Sequence, residues 1–367
     1  MFDNFFYGRK VLLTGHTGFK GSWLSLWLAK LGSDLTGFSL DPPTVPNLFS
    51  VCGIGRRMNS LTGDVRSLRD LLSVVDACKP EIVIHMAAQS LVNRSYSHPV
   101  ETFDTNIMGT VNVLEACRRS PSVRAVINVT SDKCYENKDW AWGYRENDRL
   151  GGHDPYSSSK ACSELVSDAY RRSFLNTEDY GLHRKTLVSV RSGNVIGGGD
   201  WAENRLIPDC MRSLSAGIPI SIRYPGAVRP WQHVLESLHG YLLTAYKAYM
   251  DGPAASGAWN FGPSGRDMLS VQEIVRRVVT LWGRSIPVIV SEEGRNHESS
   301  CLRLDCSMAR TVLGWNPQWD IDTALEKTVC WYKAHEMHED MLEVTWSQID
   351  DFERCIKTGS GHELQIL

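Results

Sequence analysis

A tyrosine and a lysine one helical turn apart are the strongest chemical signal in this sequence. Tyr156 and Lys160 lie in the run Asp154-Pro155-Tyr156-Ser157-Ser158-Ser159-Lys160, and on a helix this spacing puts both side chains on one face. A protonated lysine there favours the phenolate, so we expect the pKa of Tyr156 to be lowered. The phenol could then accept a hydroxyl proton near neutral pH, which makes it a candidate general base.

A glycine-rich turn near the N-terminus predicts where a dinucleotide would bind. Gly15, Gly18 and Gly21 follow the apolar run Lys10-Val11-Leu12-Leu13-Thr14 and precede a helical pattern that starts at Ser22. Such a turn lets the backbone approach a pyrophosphate at the positive end of a helix dipole. Asp41 closes the next strand, where a carboxylate accepts hydrogen bonds from the adenosine ribose and disfavours a 2′-phosphate. The sequence therefore predicts NAD and not NADP. The spacing here is Gly-x-x-Gly-x-x-Gly, whereas the generic fingerprint is Gly-x-Gly-x-x-Gly. The alternative is a glycine-containing turn with no role in cofactor binding.

Length, charge and cysteine usage narrow the class of protein. With 367 residues the chain can bury a large core, and its formal net charge of −3 gives no sign of a nucleic-acid or membrane partner. The ten cysteines form no Cys-x-x-Cys pair, and His297-Glu298 is too isolated to hold a metal, so we expect none. The start of the sequence lacks a signal-peptide pattern, and we expect a soluble cytoplasmic protein.

The order of apolar segments predicts an α/β fold. Strand and helix patterns alternate through the first part of the chain, which favours a Rossmann-like doubly wound parallel sheet. We assign residues 1–193 to this dinucleotide-binding domain, with 231–262 returning to it. Residues 194–230 and 263–350 are expected to form a smaller mixed α/β C-terminal substrate lobe, which begins with the glycine-rich loop 196–201.

These motifs together resemble the extended short-chain dehydrogenase/reductase family. The resemblance is carried by the glycine turn, by Ser131 at the end of a strand, and by the Tyr156/Lys160 pair. Thr130-Ser131-Asp132-Lys133-Cys134-Tyr135 looks like the active-site segment of the nucleotide-sugar 4,6-dehydratases. Four longer segments are similar to the branch of that family that acts on CDP-glucose: residues 14–23, 41–44, 193–201 and 229–236. Lys133 departs from the commoner dTDP-glucose branch, which has an acidic residue there.

The resemblance implies an internal redox dehydration of a CDP-glucose substrate. Tyr156 would deprotonate the hydroxyl on carbon 4, Ser131 would hydrogen-bond the same oxygen, and Lys160 would hold the phenolate and the nicotinamide ribose. Asp132 would protonate the departing hydroxyl on carbon 6. Lys133 would take the proton from carbon 5, with its pKa lowered by burial beside Lys160. Which of the two side chains is protonated stays open, and outside this context they would be a solvated loop pair.

The resemblance also implies binding residues and an assembly. Substrate contacts are expected from Ser90, Asn194, Arg205, Leu206 and Asn260, and Arg229 is expected to bridge the diphosphate oxygens. The helices near 99–118 and 155–176 would form a homodimer interface, and a homotetramer is the other possibility. The expected cofactor-binding residues are Gly15, Gly18, Phe19, Lys20, Gly21, Asp41, Asp64, Val65, Ala87, Ala88, Gln89, Thr105, Tyr156 and Lys160.

Two other functions fit the same residues. A sugar-nucleotide 4-epimerase shares Ser131, Tyr156, Lys160 and the glycine turn, but it has no use for an acid/base pair such as Asp132-Lys133. A non-catalytic protein that senses NAD through partner binding would also keep the cofactor loop. The intact Ser131, Tyr156 and Lys160 set argues against that second alternative.

Overall fold

The computed structural model describes residues 2–291 and 302–359. His297 and Glu298, for which we expected no metal-binding role, lie outside the described residues. Among the described residues, seven parallel strands form one sheet in the order β11-β6-β5-β4-β1-β2-β3. The strands are β1 (Lys10–Thr14), β2 (Asp34–Ser39), β3 (Asn59–Thr62), β4 (Ile82–His85), β5 (Ala125–Val129), β6 (Thr186–Ser192), β7 (Val195–Ile196), β8 (Ile220–Ile222), β9 (Val228–Pro230), β10 (Gln232–His233), β11 (Gly257–Phe261), β12 (Met268–Ser270) and β13 (Val288–Val290).

Helices cover both faces of the sheet, which explains why its central strands are continuous apolar runs. Every residue of β4 and β5 is buried, as parallel strands covered on two faces require. The helices are α1 (Phe19–Lys30), α2 (Leu48–Val51), α3 (Leu68–Cys78), α4 (Val92–Ser97), α5 (Pro99–Phe103), α6 (Gly109–Arg119), α7 (Pro155–Ser173), α8 (Tyr180–His183), α9 (Leu206–Ala216), α10 (Val234–Met250), α11 (Val271–Trp282), α12 (Ile321–Glu336) and α13 (Met341–Thr358).

The strand order reverses between β1 and β4, and this fixes where a ligand can bind. Chain segments leave the carboxyl ends of these two adjacent strands in opposite directions across the sheet, so a crevice opens between them. The loops after β1, β4, β5 and β6 therefore meet at one edge of the sheet. The predicted glycine turn, Ala87-Ala88-Gln89 and Ser131 all follow these strands.

The later part of the chain contributes to two regions. β11 pairs with β6 in register from Gly257 with Val188 to Phe261 with Ser192, and so extends the main sheet. The two-residue pairing of β7 with β10 and the pairings of β9 with β12 and β8 with β13 form three small separate sheets. These small sheets, with α9, α11 and α12, flank the carboxyl edge of the main sheet.

Two helical features differ from the sequence-based expectation. The single helix predicted near 99–118 is interrupted by a π-helical turn at Asp104–Met108, which places Asn106 in the interior. Helix α13 was not predicted, and it packs on α1, where Trp27 donates to Glu353 at 2.8 Å and Lys30 pairs with Asp350 at 2.9 Å. Across the described residues, no helix has both the length and the apolar character of a membrane span.

Candidate active site

Helix α7 carries Tyr156 and Lys160 into the crevice from its first turns. Asp154 caps the helix by accepting from the Ser157 backbone N–H at 3.0 Å, and Pro155 occupies the first helical position. The side chains of Tyr156 and Lys160 are 8% and 6% exposed. Lys160 donates from Nζ to the Val129 carbonyl oxygen at 3.1 Å, which ties α7 to the end of β5.

The expected lowering of the tyrosine pKa by Lys160 is wrong for this structure. Burial raises the pKa of Tyr156 to about 12, while a hydrogen bond with Ser131 and the charge of Arg205 act in the opposite direction. Burial lowers the pKa of Lys160 to about 8, and the nearby charge of Lys20 adds to this effect. Desolvation disfavours the charged form of both groups. Burial therefore favours the neutral phenol and the neutral amine, whereas the spacing of the two residues predicted a phenolate beside an ammonium.

The turn after β5 brings Ser131, Asp132 and Lys133 beside Tyr156. The Ser131 hydroxyl donates to Asp132 Oδ1 at 3.0 Å and accepts from the Lys133 backbone N–H at 3.2 Å. Asp132 is buried, and burial raises its carboxyl pKa above the ordinary value, although the charges of Lys133 and Arg229 oppose the shift. Within the described chain, Asp132 Oδ2 has no hydrogen-bond partner. A buried carboxyl that favours its protonated form is suited to donate a proton.

The structure corrects one expectation about Lys133. Its side chain was expected to be buried beside Lys160, but it is only half-buried, at the mouth of the crevice.

The glycine turn has the geometry of a dinucleotide loop. Gly15 adopts a φ of +77°, and a Cβ there would lie 2.7 Å from the Ala87 backbone nitrogen. A Cβ on Gly21 would lie 2.1 Å from the Gly15 carbonyl oxygen, so β1 and α1 can approach each other only through glycine. α1 begins right after Gly18, and its first backbone N–H groups point out of the helix end toward the crevice. These features fit the pyrophosphate of a dinucleotide.

Most of the other expected cofactor residues line the same crevice, and one of them has a structural role. Ala87 and Ala88 are half-buried after β4, and Thr105 is half-buried in the π-helical turn. Gln89 is turned into the protein, where its side-chain amide donates to Thr102 at 2.9 Å and its carbonyl oxygen accepts from the Leu91 backbone at 2.6 Å. The backbone of Gln89 is also held within the protein, because its N–H donates to Asn106 at 2.8 Å and its carbonyl oxygen accepts from Asn106 at 2.9 Å.

The adenine end of the crevice carries the remaining expected residues. Asp41 is exposed after the end of β2, where a ribose-binding acid belongs. Val65 is buried, and a Cβ on Gly109 would lie 2.8 Å from its side chain. Asp64 forms an ion pair with Arg66 at 2.5 Å. Phe19 is half-buried in the first turn of α1.

Lys20 points into the interior of the site from α1. Its Nζ donates to the Tyr241 hydroxyl at 2.7 Å and to Ser192 at 3.1 Å. Desolvation of the amine lowers the pKa of Lys20 to about 7; the charge of Arg205 acts in the same direction and that of Asp132 opposes it.

Four of the six expected substrate residues lie around the open side of the crevice. Ser90 is exposed after β4, Asn194 is half-buried after β6, and Leu206 begins α9. The guanidinium of Arg205 donates to Ser90 at 3.0 Å and to Asp200 at 3.0 Å.

The other two expected substrate residues are buried. Arg229 is 5% exposed, and its charge reaches Asp132. Asn260 is fully buried, and its amide donates to the carbonyl oxygens of Tyr144 and Asp305 while its oxygen accepts from Tyr135. The side-chain hydrogen-bonding groups of Asn260 are thus engaged within the protein, and its expected substrate contact stays a prediction.

The sequence analysis missed a buried ion pair behind the active-site turn. Glu164 accepts from Arg191 at 2.8 and 2.9 Å and from the Thr130 hydroxyl at 2.5 Å. Arg191 also donates to the Tyr135 hydroxyl at 2.7 Å. Two signals were available: Glu164 lies one turn after Lys160 on the same helix face, and Arg191 interrupts an apolar strand.

The fold and site together define an NAD(P)-type short-chain dehydrogenase/reductase. A dinucleotide crevice faces a serine, a tyrosine and a lysine at the carboxyl edge of a doubly wound sheet. No group of three His, Cys, Asp or Glu side chains in the described part of the chain could hold a metal ion.

The chain belongs to the GDP-mannose 4,6 dehydratase family, whose model matches residues 12–328. CDP-glucose 4,6-dehydratase of Salmonella typhimurium is 50% identical over 349 residues, which cover 95% of this chain and 97% of that protein. The dTDP-glucose 4,6-dehydratase of the same organism is 25% identical and covers 89% of this chain and 93% of that protein. These similarities confirm the resemblance predicted from the sequence.

Solved structures confirm the fold class. A UDP-glucose 4-epimerase from Thermotoga maritima, solved with UDP-glucose, superposes with a TM-score of 0.77 at 19% identity and covers 89% of this chain and 99% of its own. A dTDP-glucose 4,6-dehydratase from Bacillus anthracis, solved in complex with NAD, has a TM-score of 0.73 at 22% identity and covers 91% of this chain and 100% of its own.

Proposed function

We propose that this protein is a hydro-lyase that converts CDP-D-glucose to CDP-4-dehydro-6-deoxy-D-glucose, with NAD as its cofactor. The observation that carries the proposal is the 50% identity to a CDP-glucose 4,6-dehydratase along nearly the whole chain. The convergence of Ser131, Asp132, Tyr156 and Lys160 at one edge of the sheet supports it independently.

NAD, when bound, supplies a hydride acceptor for carbon 4 and a hydride donor for carbon 6. Gly15, Gly18 and Gly21 would hold its pyrophosphate, and at Gly15 and Gly21 only glycine permits the close approach of β1, α1 and the loop after β4. Asp41 would accept hydrogen bonds from the adenosine ribose hydroxyls. Lys160 would hold the nicotinamide ribose.

Oxidation at carbon 4 depends on Tyr156 as the general base. Tyr156 removes the proton of the hydroxyl on carbon 4, and Ser131, whose hydroxyl lowers the pKa of the phenol, would orient the same oxygen. The raised pKa of Tyr156 means that nearby positive charge must offset the cost of burying the phenolate.

Elimination of water depends on the turn after β5. The ketone on carbon 4 acidifies the proton on carbon 5, which Lys133 removes from the mouth of the crevice. Asp132 protonates the hydroxyl on carbon 6, which leaves as water. Burial raises the pKa of Asp132 above its ordinary value, which is the direction that this acid role requires. Lys133 would then return its proton to carbon 5 as the hydride removed from carbon 4 is delivered to carbon 6, so the sugar has lost only water and bound NAD would be unchanged.

Positive charge around the crevice suits a nucleoside diphosphate. Arg229 is placed beside Asp132 at the buried end, where its guanidinium would bridge the diphosphate oxygens. The backbone N–H groups at the start of α9, from Leu206, add donors for the same anion. Asn194 faces the hexose from the loop after β6.

Product mass tests the proposal directly. Purified protein with NAD and CDP-glucose should yield a product lighter by water, whereas simple epimerisation would leave the mass unchanged. Side-by-side turnover of CDP-glucose and dTDP-glucose tests the nucleotide base, and preference for dTDP-glucose would refute the CDP assignment. If the protein bound NAD but left CDP-, dTDP- and GDP-hexoses untouched, a sensing role would replace the enzymatic one.

We also propose that the protein forms a homodimer or homotetramer through α5, the π-helical turn and α7. Val100, Met108 and Leu165 on these helices are 80%, 47% and 57% exposed, which is unusual for apolar side chains on packed helices. Light scattering should give a dimer or tetramer mass, and Leu165→Glu should lower it. A monomeric wild-type protein would contradict the proposal.

The cellular setting follows from the proposed reaction. We place the enzyme in the cytoplasm, where it would supply 6-deoxysugar biosynthesis, such as that of lipopolysaccharide O-antigen. Cell fractionation tests the location, and loss of 6-deoxyhexose from surface polysaccharide after deletion tests the pathway.

A further inference from the structure

The loop after β7 contains a buried carboxylate that the proposed chemistry does not use. Asp200 is 5% exposed within the glycine-rich run 196–201. Its Oδ1 accepts from the Ala202 backbone N–H at 3.0 Å, and its backbone carbonyl accepts from the Tyr332 hydroxyl of α12. Asp200 is thus held firmly on two sides, and its second carboxylate oxygen is directed at Arg205.

Arg205 connects the two sides of the crevice. Its Nη1 donates to Asp200 Oδ2 at 3.0 Å, and its Nη2 donates to the Ser90 hydroxyl at 3.0 Å. Ser90 follows β4 of the main sheet, whereas Asp200 belongs to the segment between β7 and α9. A planar guanidinium that makes both contacts at once is confined to one position between them.

The Ser90 end of this bridge is joined to the helix that carries Tyr156. The amide of Asn106 donates to the Gln89 carbonyl oxygen at 2.9 Å and to the Ser159 hydroxyl at 2.8 Å. Ser159 in turn donates to the backbone carbonyl of Tyr156 at 2.7 Å. Short hydrogen bonds therefore fix the segment that receives the Arg205 guanidinium relative to the first turn of α7.

The negative charges around the Tyr156 phenol oppose its ionisation, so the positive charge of Arg205 affects how readily the phenolate forms. Burial is the main cause of the raised pKa of Tyr156, and the carboxylates of Asp132 and Asp154 raise it further. The Ser131 hydrogen bond and the positive charge of Arg205 lower it. Ser131 and Asp132 come from the turn after β5, Asp154 from the start of α7, and Arg205 from the start of α9.

We propose that Arg205 and Asp200 are positioning residues of the reaction: Asp200 holds the Arg205 guanidinium against Ser90, where its charge stabilises the phenolate of Tyr156. This inference rests on the proposed function, because it assigns the phenolate a catalytic task. It gives the tyrosine a cationic partner from a segment distant from α7.

A direct test needs no substrate. A fluorinated tyrosine at position 156 brings the phenol into an accessible pH range, and fluorine NMR follows its titration. In Arg205→Met the titration should move up by about one pH unit, the lower end of the shift for a nearby opposite charge, because the Arg205 side chain is 34% exposed. An unchanged titration would overturn the inference even if the protein proved to have a different activity.

Kinetics provides the second test, with a matched control. Arg212 holds the same loop by donating to the Trp201 and Ala202 carbonyl oxygens, so Arg212→Met reports the effect of loosening the loop alone. In Arg205→Met, kcat for CDP-glucose should fall about 10-fold at neutral pH, with the acidic limb of the pH profile displaced upward. Asp200→Asn should give a smaller displacement, and Arg205→Lys should restore most of kcat.

Two kinetic results would contradict the proposal. One is a pH profile that moves equally in Arg205→Met and Arg212→Met, since that would reflect loop structure. The other is a loss confined to KM together with weaker binding of CDP, which would make Arg205 a diphosphate ligand. Failure of the wild-type protein to dehydrate CDP-glucose would refute the proposed function and leave the titration test intact.

Discussion

The buried pair Glu164–Arg191 offers the sharpest test of how the active-site turn is held. The side chains of Glu164 and Arg191 are 1% and 4% exposed, and the pair has two hydrogen bonds. Thr130 and Tyr135, which flank Ser131, Asp132 and Lys133 in the chain, are both hydrogen-bonded to this pair. We predict that Glu164→Gln destabilises the protein and displaces the turn.

The magnitude follows from the charge left behind. The amide introduced by Glu164→Gln would keep a hydrogen-bonding partner for Thr130 but would leave the Arg191 guanidinium buried without a counter-charge. Removing one partner of a buried ion pair costs about 3–5 kcal/mol. A loss of about 3 kcal/mol lowers the folding equilibrium constant by roughly 100-fold.

The destabilisation should also depend on pH. Burial opposes ionisation of Glu164, but the charge and hydrogen bonds of Arg191 outweigh it and hold the pKa of Glu164 below its ordinary value. A lowered folded-state pKa means that the stabilisation is present above the ordinary carboxyl range and is lost as the pH falls through the folded value. The difference between wild type and Glu164→Gln should therefore narrow toward acid pH.

A double-mutant cycle in urea measures the pair directly. Glu164→Gln, Arg191→Met and the double variant should show a coupling of about 2–3 kcal/mol. The matched control is the exposed pair Glu273–Arg276, whose arginine side chain is 66% exposed, and which should show little coupling because water and salt screen it. Equal coupling in the two cycles, or a Glu164→Gln variant as stable as wild type, would refute the reasoning.

Three further predictions concern the reaction itself. Tyr156→Phe should abolish turnover of CDP-glucose but keep NAD binding by fluorescence titration, whereas Tyr170→Phe on the same helix should stay active; residual turnover in Tyr156→Phe would remove the phenol from its role. Lys133→Met should allow oxidation at carbon 4 but stall elimination, so reduced nicotinamide absorbance should accumulate on the enzyme; normal turnover without that signal would exclude Lys133 as the base. Burial lowers the pKa of Lys160 to about 8, so kcat/KM should fall as the pH rises through that value and the ammonium is lost. At about pH 9, roughly one unit above the lowered pKa, most of the amine is neutral. A pH profile of kcat/KM that stays flat up to that pH would contradict this prediction.

Much of the site was predictable because its signals are local. The glycine turn, Asp41 and the Tyr156/Lys160 spacing each lie within one strand–turn–helix unit, where geometry follows from chain position. The alternation of strand and helix patterns likewise predicted the doubly wound sheet, which the structure and its relatives confirm.

Other expectations failed because they depended on surroundings that sequence spacing does not describe. The pKa of Tyr156 is raised by burial, and the number of protein atoms around a phenol is a property of packing. Asn260 was expected to contact substrate because of its motif, whereas in the structure its side-chain amide is hydrogen-bonded to Tyr135, Tyr144 and Asp305. The half-burial of Lys133 depends in the same way on which segments cover the turn.

The sequence alone determined the fold class and predicted the dinucleotide crevice and the reacting groups, because these follow from patterns of a few adjacent residues. Only the tertiary structure decided which charges surround the phenol and which pair supports the turn. Arg205 and Ser90 are 115 positions apart, and Arg191 and Glu164 are 27 apart. Contacts of this kind arise when helices and loops pack at the edge of the sheet, and the energies that tune the site depend on burial and distance in that packing.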